Sequence, residues 1–179
     1  MLAFLLIGCE IGFWLFVIMG LICRYVWNLP KVGLFLLICT PVVDLILLVA
    51  TGLDLRSGAS ASMIHSLSAI YLGVSIVYGH RMIKWADEQF VYRIKKGPAP
   101  IDKPKYGKEK ARYERIMWFH HLLAWGIGSL IMLGLIWLTN DNSRTGALAT
   151  SINVWGMIVV IDFAVSFSYS VWEKKVKGA

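Results

Sequence analysis

Residues 39–48 read CTPVVDLILL and stand inside a long apolar run over residues 31–53. A run of about 20 apolar residues is what a helix needs to cross the ~30 Å hydrocarbon core of a bilayer. Pro41 and Asp44 are residues such a run would not be expected to hold. Proline cannot donate a backbone hydrogen bond, so the carbonyl of Leu37 loses its partner one turn earlier. Asp44 lies 13 residues beyond Lys31, about 20 Å of helical rise into the core. A carboxylate at that depth costs on the order of 2.5–3.5 kcal/mol, so it must be protonated, paired or facing water. A broken helix with a free carbonyl and a carboxylate one turn apart offers oxygen ligands to a proton or cation. The alternative is structural: Thr40 satisfies the local backbone, and Asp44 hydrogen-bonds across the bundle.

Four further apolar runs flank this one, at residues 2–27, 62–83, 116–138 and 147–172. The chain has 179 residues, 58% of them hydrophobic, with a mean hydropathy of +0.65, which leaves no room for a separate soluble domain. The expected fold is all-α, a single domain over 1–179 formed by a bundle of five transmembrane helices. The first run is expected to remain as a span, because it lacks a basic leader and exceeds a signal-peptide core in length. All but Arg56 and Arg144 of the 18 Lys and Arg residues fall on one side of such a bundle. The positive-inside bias then places the N-terminus outside and the C-terminus inside, with a basic inner hairpin at residues 84–115 between the third and fourth helices. The net charge of +7 reads as a topology signal rather than a nucleic-acid footprint.

Within the hairpin, residues 84–96 are expected to prolong the third helix, and Gly97-Pro98-Ala99-Pro100 to end it. From Lys108 the chain leads helically into the fourth span. Two basic arms at the inner surface would attract anionic lipid headgroups, at roughly 1 kcal/mol per Lys or Arg. A solvated loop obeying the charge bias is the plainer reading. Small residues spaced four apart (Ala69 and Gly73, Ser75 and Gly79, Ala124 and Gly128, Ala164 and Ser168) are the pattern by which membrane helices approach closely. Trp27, Trp85, Trp118, Trp137 and Trp172 fall near span ends, as in an aromatic belt.

Other chemistry is sparse. Cys9, Cys23 and Cys39 are odd in number and lack metal-site spacing, which excludes a disulfide framework. Asp162 and Glu10 are further carboxylates within spans and join Asp44 and Leu37 as proton- or ion-binding candidates. Asp54 and His65, together with Glu10, fall toward the outer face, as a vestibule or as a structural ion pair. His80 and one of His120 or His121 lie at similar depth on adjacent helices, a pattern that suits two axial ligands of a single haem b or part of a metal site. Histidines resting at the interface are the simpler alternative, and no cofactor is predicted. No nucleophile, nucleotide or metalloprotease motif points to an enzyme.

The stretches CTPVVDLILL (39–48), YGHRMIKWAD (78–87) and GPAPIDKPKYG (97–107) resemble the YmcC-like family of small bacterial integral membrane proteins. The resemblance covers about half the chain. It implies a bacterial cytoplasmic-membrane location and assigns no activity, so it carries over no functional residues. Three function classes follow from the residues: a small proton- or cation-coupled transporter or channel-like protein, an accessory protein binding lipid or a partner through its inner hairpin, and a haem electron carrier. Five helices around a buried acid make a thin wall, so a homo-oligomer is expected, with a dimer favoured.

Overall fold

The computed structural model describes residues 2–94, 96–99, 104 and 106–171, excepting the side chains of Leu2, Ala3, Leu5, Leu6, Glu10, Ile94 and Val171. These residues form five α-helices: α1 (Leu2–Tyr25), α2 (Pro30–Arg56), α3 (Met63–Ile94), α4 (Gly107–Thr139) and α5 (Gly146–Val171). Each packs chiefly against its neighbour in sequence, while α3 also touches α1 and α5, and α2 touches α4. Short connections force this antiparallel order. Pro30 opens α2 at a position where its missing N–H costs nothing. Asn140 closes α4 in the left-handed conformation at φ 49°. At the start of α3 the His65 side chain reaches back to Ser62, the imidazole Nδ1 accepting the Ser62 backbone N–H at 3.1 Å. At its C-terminal end α3 stops at Ile94, and the Gly97 N–H returns to the Val91 carbonyl at 3.0 Å.

The packing follows the small residues. A Cβ on Gly73 would lie 2.8 Å from the Ala124 carbonyl oxygen, so α3 and α4 meet backbone to backbone at the Ala69/Gly73 and Ala124/Gly128 positions. Gly128 also admits the Trp155 ring of α5. Gly20 and Gly33 make the same kind of contact between α1 and α2. Gly79 meets nothing within 4 Å, and Ala164 is exposed, so those two small-residue pairs pack differently from the others.

The distribution of polarity is inverted relative to a water-soluble bundle. Thr40, Asp44, Thr51, His65, Ser66, Ser68 and Ser129 are buried, while Trp137, Leu130, Val160 and Leu53 are among many large apolar side chains on the outside. That inversion suits a lipid surround, where the exterior must be apolar and polar groups need internal partners. Four helices are long and apolar enough to cross a membrane among the described residues: Ile7–Tyr25, Pro30–Arg56, Gly107–Thr139 and Gly146–Ser170. α3, expected from the sequence to be a fifth, falls outside that set. Its run is diluted by His65, Ser66, Ser68, Ser75 and His80, the first three of which are turned inward.

Candidate functional site

The buried face of α2 is a stripe of Gly33, Leu37, Thr40, Asp44, Leu47, Thr51 and Leu55. Steps of three and four keep one face of a helix turned toward its partners, and Asp44 sits mid-stripe. Its carboxylate is 7% exposed and accepts a hydrogen bond from the Ser75 hydroxyl of α3. No ion pair reaches Asp44 among the described residues. Pro41 does not interrupt α2, which is helical throughout. The Leu37 carbonyl, proposed from the sequence as a free oxygen ligand, receives the Thr40 hydroxyl at 2.8 Å. The hydroxyl thus stands in for the amide that proline removes.

Asp44 faces a partly open cavity of about 300 Å³ between α1, α2 and α3. Its wall is mostly apolar. Phe13 and Trp14 come from α1, Tyr71 and Ser75 from α3, and Cys9 also lines it. Phe13 and Trp14 pack edge to face with ring centroids 5.8 Å apart. Glu10 lies on α1, but its side chain is outside the described residues. The residues beside Asp44 that sequence reasoning missed are Ser75, Tyr71, Phe13 and Trp14. Which faces of α1 and α3 turn toward α2 is a tertiary fact, and the sequence carries no signal of it.

Asp162 stands apart from this cavity, because α2 and α5 do not touch among the described residues. It is held at the α4–α5 interface, where His121 Nδ1 lies 2.9 Å from its Oδ2 and the Ser166 hydroxyl approaches Oδ1 at 3.4 Å. The Trp155 indole N–H donates to His121 Nε2 at 3.1 Å. An indole can only donate, so Nε2 must carry the lone pair and Nδ1 the proton that goes to Asp162. Two more indoles bind the same helices together: Trp118 donates to the Val159 carbonyl at 3.0 Å and Trp125 to the Ile152 carbonyl at 3.2 Å. Trp118, read from the sequence as a belt residue, therefore has an interhelical bond. Trp125 and Trp155 were absent from that reading, although an indole N–H in mid-span is itself a sign that a partner is needed.

The histidines do not converge into a pair of axial ligands. Both nitrogens of His121 are engaged, by Trp155 and Asp162. His120 directs Nδ1 to the Ile116 carbonyl of its own helix at 2.6 Å and lies beside Tyr78, with centroids 6.1 Å apart. His80, two residues and about 200° around α3 from Tyr78, is exposed. No group of three or more His, Cys, Asp or Glu side chains suited to a metal ion occurs among the described residues.

At the end of the bundle that holds the α2–α3 and α4–α5 connections, His65 Nε2 meets Asp54 Oδ2 at 3.0 Å. Because Nδ1 accepts the Ser62 N–H, Nε2 carries the proton of this contact. The neighbouring loops are joined by Arg144, which bonds Asp141 at 2.8 Å and approaches the Leu55 and Ala59 carbonyls at 3.5 and 3.4 Å. Its own carbonyl accepts the Ala61 N–H at 2.7 Å. At the opposite end Arg24 of α1 pairs with Asp87 of α3 at 2.7 Å, and Tyr25 stacks on Phe90. Lys174, Lys175 and Lys177, counted toward the inner charge, lie outside the described residues.

Buried polar side chains beneath an apolar exterior define a multi-pass helical membrane protein. No family model matches the chain, and no solved structure matches it. It is, however, 44% identical to the protein named "Uncharacterized membrane protein YmcC" of Bacillus subtilis (strain 168), over 99% of this chain and 96% of that one. The chain belongs to the YmcC family of membrane proteins.

Proposed function

We propose that this protein is a small proton- or cation-coupled transporter or channel-like protein of the bacterial cytoplasmic membrane, with Asp44 as its binding carboxylate. The observation that carries this reading is a 93% buried acid, without a cationic partner among the described residues, facing a cavity between three helices. An ionised carboxylate at membrane depth that is neither paired nor wet is expensive, so it will take up a proton or another cation. In this reading α3 crosses the membrane as a fifth span, its polar residues sheltered by the four apolar helices, with the N-terminus outside. Asp162 belongs to the α4–α5 contact rather than to the path. In liposomes, Asp44→Asn should abolish cation- or proton-dependent flux while the purified variant keeps a single, monodisperse folded form. Flux equal to that of the unaltered protein sinks the reading.

A second reading is an accessory role at the inner surface. It is favoured by the length of α3 and α4, 32 and 33 residues, or about 48–50 Å at 1.5 Å per residue. Both exceed a core of about 30 Å, and the overhang carries Arg93, Lys108 and Arg112. Anionic headgroups suit that surface. Binding to vesicles that is insensitive to anionic lipid content excludes it. In either reading the chain acts as a homo-oligomer, a dimer by preference, because α1 is poorly covered: Ile11, Trp14, Leu15 and Ile18 are all exposed. Crosslinking in native membranes that gives only monomer contradicts this.

A further inference from the structure

The cavity at Asp44 has more specific chemistry than a proton or metal-ion site requires. A small hydrated ion is best held by several oxygens, and hard cations take six or more. Among the described lining residues Asp44 is the only carboxylate, one of its oxygens is occupied by the Ser75 hydroxyl, and the Leu37 carbonyl is bonded to Thr40. Most of the remaining wall is aromatic or apolar: Phe13, Trp14 and Tyr71, then Leu47 and Val74. Such a wall cannot replace the hydration shell of sodium or potassium. It can solvate an organic cation, because ring faces attract a positive charge and the apolar body of such a cation loses little on leaving water.

We infer that the cavity between α1, α2 and α3 is a binding site for a monovalent hydrophobic organic ammonium ion, its charge on Asp44 and its apolar body against Phe13, Trp14 and Tyr71. The inference deepens the transport reading and rests on it only for movement of the ligand; binding stands by itself. Size is consistent: about 300 Å³ equals roughly ten water volumes, enough for an ion such as benzyltrimethylammonium. Access is consistent as well. Trp14 both lines the cavity and is exposed on the apolar exterior, so the cavity meets the outer face of α1, where lipid-soluble amines concentrate. Specificity follows from the charge of Asp44: a neutral molecule of the same shape leaves the carboxylate unmatched.

The test is equilibrium binding to the full-length protein in detergent, followed by calorimetry and by tryptophan fluorescence. The probes are benzyltrimethylammonium and its uncharged carbon analogue, (2,2-dimethylpropyl)benzene. The ammonium should bind saturably, at least about tenfold more tightly than the analogue, a gap of about 1.4 kcal/mol. Asp44→Asn should abolish that preference, and Trp14→Ala should weaken the ammonium. Equal affinity for the two probes overturns the inference on the unaltered protein alone, whether or not a variant folds. Retained preference in Asp44→Asn overturns it too. The two readings separate cleanly. Asp44-dependent ion flux without ammonium binding leaves the transport reading standing and removes this one. Ammonium binding without flux keeps the site and removes transport.

Discussion

At the scale of single residues, the molecule settles each deep polar side chain with a different device. Thr40 answers Pro41 by bonding the carbonyl that proline leaves open, so Thr40→Val should cost about 1–3 kcal/mol, the penalty for an unmet buried acceptor. Thermal unfolding in detergent measures it, and an unchanged Tm contradicts the assignment. His121 is fixed as the Nδ1–H tautomer by an indole donor on one side and a carboxylate on the other. Nitrogen NMR should find its proton on Nδ1, and in Trp155→Phe the Nε2 resonance should shift as its donor is lost while Nδ1 keeps the proton it gives to Asp162. A proton found on Nε2 in the unaltered protein rules the arrangement out. Asp44 and Asp162 were legible in the sequence as costly residues needing explanation. That one faces a cavity and the other a histidine was not, because depth along a helix can be counted from residue numbers and partners across helices cannot.

At the scale of elements, helix pairs are set by what fails to protrude. Gly73 lets α3 reach the Ala124 carbonyl, while Gly79, one and a half turns on, meets nothing. Gly73→Ala should therefore destabilise by about 1–3 kcal/mol through overpacking. Gly79→Ala should be neutral or slightly stabilising, since alanine is the better helix former. Equal Tm shifts for the two variants contradict the packing described here. The spacing of four made both pairs visible in the sequence, yet periodicity alone does not say which pair is used. α3 shows the complementary limit. Its inward serines and histidine lower its hydropathy below that of the other helices, although it touches every one of them.

At the scale of the whole molecule, the two ends of the bundle are tied differently. At one end, Arg144 joins the loop between α4 and α5 to the end of α2 and the loop that follows it. Hydrogen exchange at the Ala61 amide, which donates to the Arg144 carbonyl, should accelerate in Arg144→Ala; unchanged protection dismisses the tie. The Ser143 hydroxyl and the Arg144 guanidinium hold Asp141 down at about 2, below the ordinary carboxylate value of about 3.9. A folded-state value below the unfolded one stabilises the fold above the unfolded value and is lost as pH falls through the folded one. Ala61 protection should thus be flat above about pH 4 and decline between about pH 4 and 2. Decline beginning near neutrality points to a different group.

The sequence by itself determined the solvent of this protein. Apolar runs of bilayer length, basic residues gathered on one side and an Asp in mid-run leave only helices with satisfied backbones in a lipid surround. It also located the elements, because hydropathy and turn residues act over a few neighbours in the chain. The tertiary structure alone decided which polar groups meet: Ser75 with Asp44, His121 with Asp162 and Trp155, Arg144 with two loops. Those meetings depend on the rotation of each helix about its axis, which goes with close backbone contact at Gly20, Gly33, Gly73 and Gly128; the sequence shows where small residues stand but not which of them are used.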